Sequence, residues 1–329
     1  MNHLHLLIPD LFPPQEIAAE VCAGLQLPAL EKLLARGSES ASPAETLEDW
    51  LCDAFGAEAV APVRAAADGL EAGGNYWLCA DPVNLQLQRA QMLLLPDVLP
   101  GQEEAAVLCA SLNEHFAGLG PRFFAPHPRR WYVQPEAEPH MTTTPLGQVA
   151  WRDAKFHQPE GTDALRWQAI VNEAQMLLHD HAVNRARAAR GELAINSLWL
   201  WGGGRAKPLR GAFDAVGGDS ELGAAFAHVS GTARIETLQG MLDGNFDTGL
   251  WVYEALGAAH RRGDYHAWRE AVQQVERQCA LLFRALRTGR VQRVTLEALQ
   301  EEGARRFELT RASAWKLWRA AKPLARYAV

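Results

Sequence analysis

The sequence predicts an α/β protein in which a mostly parallel central sheet carries helices on both faces. Short apolar runs that end in Pro, Gly or Asp alternate with segments whose apolar residues recur at helical spacing. The chain has 329 residues, which suggests about two domains or one large domain with an insertion. Hydrophobic residues make up 48% and charged residues 22%, so disordered, collagen-like and mostly coiled-coil chains are excluded.

The N-terminal third is predicted to begin with a buried strand at 4–8, which Pro9 and Asp10 close. Asp10 therefore lies at the carboxyl end of this strand. Helical spacing follows, with Pro28 as a new helix start and Gly37 and Gly56 as helix ends. The predicted helices cover 15–36 and 47–55, and two strands at 76–79 and 92–95 lie on either side of Asp81-Pro82-Val83-Asn84.

Residues 121–165 are rich in Pro, His and Thr and are predicted to be an irregular insertion or loop region. A helix over 167–190, a strand over 194–201 that runs into Gly202, and a strand over 250–255 follow. Asp264 then begins a long helix that Gly289 ends. The predicted organisation is an N-terminal part of the α/β domain at 1–120, the insertion at 121–165, a C-terminal part at 166–302 and a basic segment at 303–329.

Charge and cysteine usage exclude several classes of partner. A net charge of −7 gives no general footprint for nucleic acid. The five cysteines are widely spaced and never form a C-x-x-C pair, so neither a structural zinc site nor a disulfide framework is expected. No stretch approaches the roughly 20 apolar residues of a membrane-spanning helix, and the N-terminus lacks the features of a signal peptide. These features predict a cytoplasmic protein without a membrane span.

Few residue patterns point to chemistry by themselves. Asp10 and the glycine run 202–204 follow predicted strands, where α/β sheets bind ligands. Asp10 is equally consistent with a loop cap and a metal ligand, and the glycines match no phosphate loop, so they mark a tight turn or a close backbone approach. His140 lies in a loop and is a candidate ligand residue. His179 and His181 point to different faces of a helix, which favours a solvated helix end over a metal pair.

Several segments together resemble a known family. The most specific block comprises His181-Ala182-Val183-Asn184-Arg185-Ala186-Arg187 and Ala194-Ile195-Asn196-Ser197-Leu198-Trp199-Leu200-Trp201-Gly202-Gly203-Gly204. It is similar to "pvN..R...G" and "AN.iWlWGqG" in the archaeal-type, cofactor-independent phosphoglycerate mutases of the alkaline phosphatase superfamily. Further similar segments are Leu7-Ile8-Pro9-Asp10 (the first strand and its metal-binding aspartate), 27–37 ("TPnlDrLa..G"), Pro139-His140 ("pPHD") and His260-Arg261-Arg262-Gly263-Asp264 ("DEAGH.GD"). The chain also resembles a small proteobacterial, mutase-like family labelled as a regulator of pathogenicity factors.

The resemblance implies an alkaline-phosphatase-like fold, two metal ions and a Ser or Thr that takes the phosphoryl group. Several of the implied groups are missing. The nucleophile falls near Leu47, where Ser42 and Thr46 are the nearest hydroxyls, and Met141 replaces the aspartate of "pPHD". The segment similar to "DEAGH" keeps His260, with Glu254 as the nearest carboxylate. The family's C-terminal Asp-His pair has no counterpart after His266. A two-metal cage is therefore not expected.

These departures predict a catalytically degenerate, phosphoglycerate-mutase-like bacterial protein with no cofactor and no catalytic residue, in a regulatory or anionic-ligand-binding role. Its ligand would be a phosphorylated or carboxylated small molecule, because Arg offers a fork suited to such groups, and a protein partner is also compatible. The candidate pocket residues are Asp10, His140, Asn184, Arg187, Asn196, Trp199, Trp201 and His260. Asn196 and the tryptophans could equally be strand packing. The alternative is a mutase or phosphohydrolase with an altered or single-metal site.

The C-terminal segment 303–329 holds seven basic residues against one acid, Glu308. Trp315 and Trp318 lie three residues apart, as on one face of a short amphipathic helix. Such a segment can be a partner-binding tail. The sequence favours a segment that packs on its own domain with both tryptophans buried, because two tryptophans in water would form an unusual apolar patch.

Overall fold

The structure, a computed structural model, describes residues 1–41, 46–118, 120–301 and 303–328. The described strands are β1 (His3–Leu7), β2 (Ser38–Ala41), β3 (Tyr76–Gln88), β4 (Gln91–Leu95), β5 (Arg122–His127), β6 (Arg130–Gln134), β7 (Ser197–Arg205), β8 (Ala215–Gly218), β9 (Ala233–Ile235), β10 (Thr248–Val252), β11 (Arg293–Ala298) and β12 (Arg305–Thr310). The described α-helices are α1 (Ala18–Val21), α2 (Pro28–Arg36), α3 (Leu47–Phe55), α4 (Val60–Ala67), α5 (Gln102–His115), α6 (Leu146–Val149), α7 (Ala164–His179), α8 (Ala182–Ala189), α9 (Glu221–Ser230), α10 (Leu238–Asp243), α11 (Ala255–Arg261) and α12 (Tyr265–Thr288). Short 3-10 helices cover Ala154–His157, Ser313–Trp315 and Leu324–Tyr327.

The chain divides into two compact units. The first comprises Met1–Gly56 and Leu209–Val329, and the second comprises Ala57–Pro208. The second unit is therefore an insertion in the sequence of the first. The division differs from the predicted boundaries at 120 and 165 because β3 pairs with β6 and β7, and β6 pairs with β5, so this stretch of chain folds together.

The first unit is built on a seven-stranded sheet in the order β2-β12-β11-β1-β10-β8-β9. β1 pairs in parallel with β10 and β11, and β8 is parallel to both β10 and β9. β12 is antiparallel to β11 and to β2. Residues 249–252 of β10 and 294–298 of β11 are all buried, as in a sheet covered on both faces. The predicted α/β fold with a mostly parallel central sheet is confirmed.

The long helix α12 contributes much of the core beside this sheet. Asp264 begins the helix by accepting a hydrogen bond from the backbone N–H of Ala267 (3.0 Å), and Gly289 ends it with left-handed backbone. Its fully buried apolar residues recur at helical spacing and are Trp268, Val272, Val275, Cys279, Leu282 and Leu286. The predicted helix is confirmed, as are Asp264 at its start and Gly289 at its end.

The second unit contains a five-stranded antiparallel sheet in which β3 pairs with β4, β6 and β7. β3 is 13 residues long and continues through residues 81–84, so the predicted break there is wrong. Asp81 is buried and forms an ion pair with Arg64 (3.0 Å). Because this charge has an internal partner, it does not require the solvent-exposed turn that its residue type indicates.

Residues 121–165 are less irregular than predicted. β5 and β6 form a hairpin whose apolar residues Phe123, Trp131 and Val133 are buried in the second unit. Pro128 lies in the turn of this hairpin, where its carbonyl accepts a hydrogen bond from the Trp131 indole (2.8 Å). The proline that indicates a loop therefore marks a tight connection between two strands.

The strands associated with Asp10 and Trp201 belong to different sheets. β1, which leads to Asp10, lies in the seven-stranded sheet, whereas β7 pairs with β3 in the five-stranded sheet. The prediction that the glycine run, like Asp10, follows a strand of the parallel sheet where ligands bind is therefore wrong for the glycine run. Its physical basis fails because β7 is an antiparallel strand, and the carboxyl-end rule applies to parallel strands.

The C-terminal segment packs on the first unit through β12 and through Ala314, Leu324 and Tyr327, all of which are buried. The predicted burial of both tryptophans is wrong, since Trp315 is 50% and Trp318 is 79% exposed. Over residues 303–328 no α-helix forms. A 3-10 turn directs Ala314 inward, and the tryptophans face solvent. Among the described residues, no helix has the length and apolar character needed to cross a membrane.

We expect Gly218→Ala to lower the free energy of unfolding by at least about 3 kcal/mol. Gly218 has φ +108, and a Cβ there would lie 2.0 Å from the carbonyl oxygen of Val252 in the neighbouring strand. Gly231→Ala is the matched control, because Gly231 has φ +72 with open space around its Cβ position. The control should lose about 1 kcal/mol in urea unfolding. Equal losses would show that the approach of β10 is not the constraint.

Candidate functional site

The carboxyl ends of three parallel strands in the first unit carry acidic residues. Asp10 follows β1, Asp219 follows β8 and Glu254 follows β10. Because β10 lies between β1 and β8, these strand ends share one edge of the sheet. Ligands of α/β sheets bind at such edges, which makes this one the candidate site of the first unit.

Asp10 is held in a fixed conformation at this edge. Its backbone is left-handed (φ 54), its N–H donates to the carbonyl of Leu299 (2.9 Å) and its carbonyl accepts from the Trp268 indole (3.1 Å). Asp tolerates this backbone conformation better than most residues. The constraint directs the carboxylate toward Arg261 of α11, whose Nη1 lies 3.2 Å from Oδ2.

Arg261 provides positive charge beside the acidic residues at this edge of the sheet. Its charge acts on Asp10, on Glu48 of α3 and on Glu254. Gly257, one helical turn before it, allows the ion pair to form, since a Cβ there would lie 2.8 Å from Arg261 Nη1 and 2.9 Å from Asp10 Oδ2. The sequence analysis did not select Arg261 as a site residue, although it follows His260 in the segment similar to "DEAGH".

The other carboxyl groups at this edge are hydrogen-bonded to the backbone or have a raised pKa. Asp219 accepts hydrogen bonds from the backbone N–H groups of Glu254 (2.6 Å) and Ala255 (3.2 Å), so it caps the start of α11. Burial raises the pKa of Glu254, although the Ser220 hydroxyl and Arg261 oppose this shift. Burial raises the pKa of Glu48 to about 7, and the charge of Glu254 adds to the effect.

The position of the implied nucleophile carries no free hydroxyl in the described structure. Leu47 is buried. The Thr46 side chain accepts from the backbone N–H of Asp49 (3.0 Å) and donates to its carboxylate (2.8 Å), which makes Thr46 the N-cap of α3. Ser42 lies outside the described residues.

The implied pair of metal ions does not fit this donor set. Across residues 1–41, 46–118, 120–301 and 303–328, no three His, Cys, Asp or Glu side chains come together as metal ligands could. A guanidinium contacts Asp10, and the Asp219 carboxylate is bonded to backbone N–H groups. His260, the remaining candidate of this unit, is half-buried with its ring 6.1 Å from that of Tyr265.

Six candidate residues lie in the second unit, and two of them are fully engaged in its packing. Asn184 donates to the carbonyls of Leu178 and Ile195 and accepts from the N–H of Ile195, each at 2.8 Å. Arg187 is 1% exposed and pairs with Glu104 (2.6 Å), while its Nε donates to the carbonyl of Leu193. These contacts connect α8 to its neighbours and use the groups that an anion would need.

The three candidates from the β7 region also bind protein groups. Asn196 exchanges two hydrogen bonds with the backbone of Leu85 (2.8 and 2.9 Å), as a further residue of the strand would. The Trp199 indole donates to the carbonyl of Thr144 (2.9 Å). The Trp201 indole donates to the buried carboxylate of Asp81 (2.8 Å). Strand packing accounts for all three side chains.

The glycine run is part of β7 and approaches other protein groups closely. A Cβ at Gly203 would lie 2.5 Å from the Tyr76 hydroxyl, and one at Gly204 would lie 2.5 Å from the Cβ of Ala59. The close approach that the sequence predicts therefore exists, but it is an approach to β3 and to the start of α4. These glycines are needed for packing within the second unit.

His140 and a cavity beside Trp199 are the remaining features of this unit. The His140 residue is exposed, and its backbone N–H donates to Asp163 (2.7 Å). The cavity has a volume of about 190 Å³ and is lined by apolar groups and by uncharged polar side chains such as Asn172, Gln175 and Ser197. Because no charged side chain lines it, the cavity offers no counter-charge to an anion. The anionic pocket stays a prediction.

Two phosphoglycerate mutases are similar to this chain in sequence. A probable 2,3-bisphosphoglycerate-independent phosphoglycerate mutase of Geobacter sulfurreducens is 25% identical over 199 residues, 56% of this chain and 50% of that protein. The corresponding mutase of Methanothrix thermoacetophila is 38% identical over 66 residues, 20% of this chain and 17% of that protein. The chain is a distant relative of the cofactor-independent phosphoglycerate mutases. In sequence it spans half the length or less of these curated relatives, and no family model matches it.

Solved structures support the mutase-like fold over nearly the whole chain. The PH0037 protein of Pyrococcus horikoshii has a TM-score of 0.60 at 14% identity, and the match covers 99% of this chain and 92% of that protein. A cofactor-independent phosphoglycerate mutase of Thermoplasma acidophilum has a TM-score of 0.50 at 12% identity, with coverages of 99% and 94%. The predicted resemblance to the mutases is confirmed, and the regulator label stays a prediction.

We expect Arg187→Ala to lower the free energy of unfolding by about 1–3 kcal/mol, because it removes a buried guanidinium that pairs with Glu104 and leaves the carbonyl of Leu193 without its donor. Arg190→Ala is the matched control. Arg190 contacts the same Glu104 (2.5 Å), but its side chain is 48% exposed, so the loss should be about 0–1 kcal/mol. Urea unfolding measures both. An unchanged stability of Arg187→Ala, together with loss of phosphate binding, would instead assign Arg187 to a ligand site.

We expect Glu48 to contribute a fall in the stability of the protein as the pH rises from about 4.5 to 7. Burial raises its pKa to about 7 in the folded state, so the folded protein holds a proton that the unfolded chain releases at lower pH. Ionisation of the unfolded chain therefore favours unfolding between about pH 4.5 and 7. Glu48→Gln should reduce this fall in thermal midpoint, and Glu16→Gln, at an exposed residue, should not. Parallel pH profiles for both variants would contradict the assignment.

Proposed function

We propose that this chain is a catalytically inactive phosphoglycerate-mutase-like protein with a regulatory or anion-binding role. The ion pair between Arg261 and Asp10 carries the proposal. Asp10 is the residue that the resemblance assigns to metal binding. A guanidinium on this carboxylate supplies the positive charge that the mutases' chemistry would take from a metal ion.

The rest of the edge supports inactivity for chemical reasons. Phosphoryl transfer by two metals needs ionised carboxylates that are free to bind cations and a hydroxyl that is free to attack. Here Asp219 caps α11, and burial raises the pKa of Glu48 and of Glu254, which makes their charged forms less favourable. The Thr46 hydroxyl is engaged as the cap of α3. Among the described residues, Asp10, Asp219 and Thr46 thus each have a structural partner.

Of the two roles, regulation is favoured over binding of a phosphorylated or carboxylated small molecule. The arginine fork predicted to hold an anion, Arg187, is buried against Glu104. A regulatory protein of this kind would act through a partner that recognises its surface. We place this role in the bacterial cytoplasm, where free thiols persist, because all five cysteines are unpaired in the structure.

We expect the full-length protein, purified without chelator, to contain no stoichiometric divalent metal and to show no interconversion of 2- and 3-phosphoglycerate. The physical reason is that the Arg261 charge replaces the cation at Asp10. Elemental analysis and a mutase assay with added manganese measure both quantities.

Asp10→Ala and Arg261→Ala are the informative variants for this proposal. Bound metal together with turnover that Asp10→Ala abolishes would show that the protein is an enzyme and contradict the proposal. Turnover that Asp10→Ala leaves unchanged would identify a contaminant. Arg261→Ala should remain inactive, because the missing nucleophile is not restored by removing the guanidinium.

A further inference from the structure

The C-terminal segment presents an exposed apolar cluster among basic side chains. Trp315, Leu317 and Trp318 are 50%, 72% and 79% exposed. Monomeric proteins rarely display such large side chains together unless they contact a partner. We call this cluster, with its neighbouring bases, the Trp-basic surface, and its members are Arg287, Trp315, Lys316, Leu317, Trp318, Arg319 and Lys322.

The base of this segment is fixed, so its tip is held outward. The Ala314 carbonyl accepts a hydrogen bond from buried Arg36 (2.6 Å), and the Ser313 side chain accepts from the N–H of Thr310 (2.7 Å). On the far side of the tip, Arg319 donates to the carbonyl of Gly37 (2.9 Å). Leu317 and Trp318 lie between these two attachments and project into solvent.

The charge of the Trp-basic surface is opposite to that of the protein as a whole. Residues 311–326 contain five basic residues and no acid, although the chain carries a net charge of −7. The last turns of α12 add Arg284 and Arg287, and the guanidinium of Arg287 lies 4.5 Å from the centre of the Trp315 ring. The surface therefore fits a partner that is anionic and can also accept apolar side chains.

We propose that the Trp-basic surface binds the surface of an anionic phospholipid membrane. Trp is well suited to the boundary between headgroups and acyl chains, and Leu317 can enter the apolar layer beside it. The lysines and arginines attract anionic headgroups. Two signals, apolar insertion and basic charge, are what stable attachment of a peripheral protein requires.

The exposure of the apolar residues favours a lipid over an acidic protein. Leu317 and Trp318 project outward and do not line a closed groove. A fluid headgroup layer can surround projecting side chains without a preformed shape, whereas a protein partner must supply a complementary pocket. The concavity beside Trp315, about 400 Å³, involves Phe283, Arg284 and Arg287 and leaves the outermost side chains outside it.

Cosedimentation of the full-length protein with vesicles tests the proposal. We expect binding to vesicles of phosphatidylcholine and phosphatidylserine, no binding to phosphatidylcholine alone, and weaker binding as salt is raised. Leu317→Ser combined with Trp318→Ser should reduce binding at least about tenfold. Lys316→Glu combined with Lys322→Glu should reduce it at least about 25-fold, since each base contributes about fivefold.

Matched controls come from the second unit. Leu165→Ser changes a leucine that is 80% exposed, and Lys155→Glu changes an exposed lysine, so both should bind as the unmodified protein does. Thermal midpoints show whether each variant is folded. If the variant of Leu317 and Trp318 is not folded, the variant of Lys316 and Lys322 tests the proposal. Absence of binding to phosphatidylserine vesicles at low salt would overturn the proposal, as would unchanged binding by folded variants of both pairs. Binding to polyglutamate but not to vesicles would also overturn it and would indicate an acidic protein partner.

Discussion

The parallel pairing of β1 on both of its edges is the constraint from which the first unit is built. Its partners, β10 and β11, follow it in the chain by more than two hundred residues. Parallel neighbours need long crossover connections. β1 therefore gains its pairing partners only when the C-terminal part of the chain returns to the sheet. An insertion can therefore leave at Gly56 and return at Leu209 without interrupting the sheet. The same pairing brings the carboxyl ends of β1, β10 and β8 to one edge.

That edge concentrates negative charge, and the chain neutralises it with its own groups. Asp10 is paired with Arg261, Asp219 is bonded to the first N–H groups of α11, and burial raises the pKa of Glu48 and Glu254. Buried carboxylates are costly unless they are paired, hydrogen-bonded or protonated. Pairing and hydrogen bonding both occur here, and burial makes the charged forms of Glu48 and Glu254 less favourable. Two-metal phosphoryl transfer would need such carboxylates to be available for cations, and our proposal of an inactive protein rests on their being satisfied by the chain's own groups.

The second unit shows why residue type alone is a weak guide to a ligand site. Asn184, Arg187 and Asn196 have side chains that often bind substrates, yet here they satisfy backbone groups and a glutamate. Every buried polar atom needs a partner, and a sequence does not distinguish a backbone carbonyl from a ligand as that partner. The membrane-binding proposal has a different basis, since Trp318 is exposed and a long-range contact from Arg319 to Gly37 helps to hold it there.

Local rules in the sequence determined the elements whose signals are contained within a few residues. The cap at Asp264, the stop at Gly289 and the apolar run that forms β1 follow from backbone geometry and hydrophobic periodicity. The family resemblance and the alternation of strands and helices also determined the α/β class. Tertiary structure alone decided that Asp81 continues a strand, that β1 and β7 lie in different sheets, that Arg261 contacts Asp10 and that Trp318 is exposed. These outcomes depend on partners distant in the chain, because the cost of a buried charge or an exposed ring is set by whatever the fold places beside it.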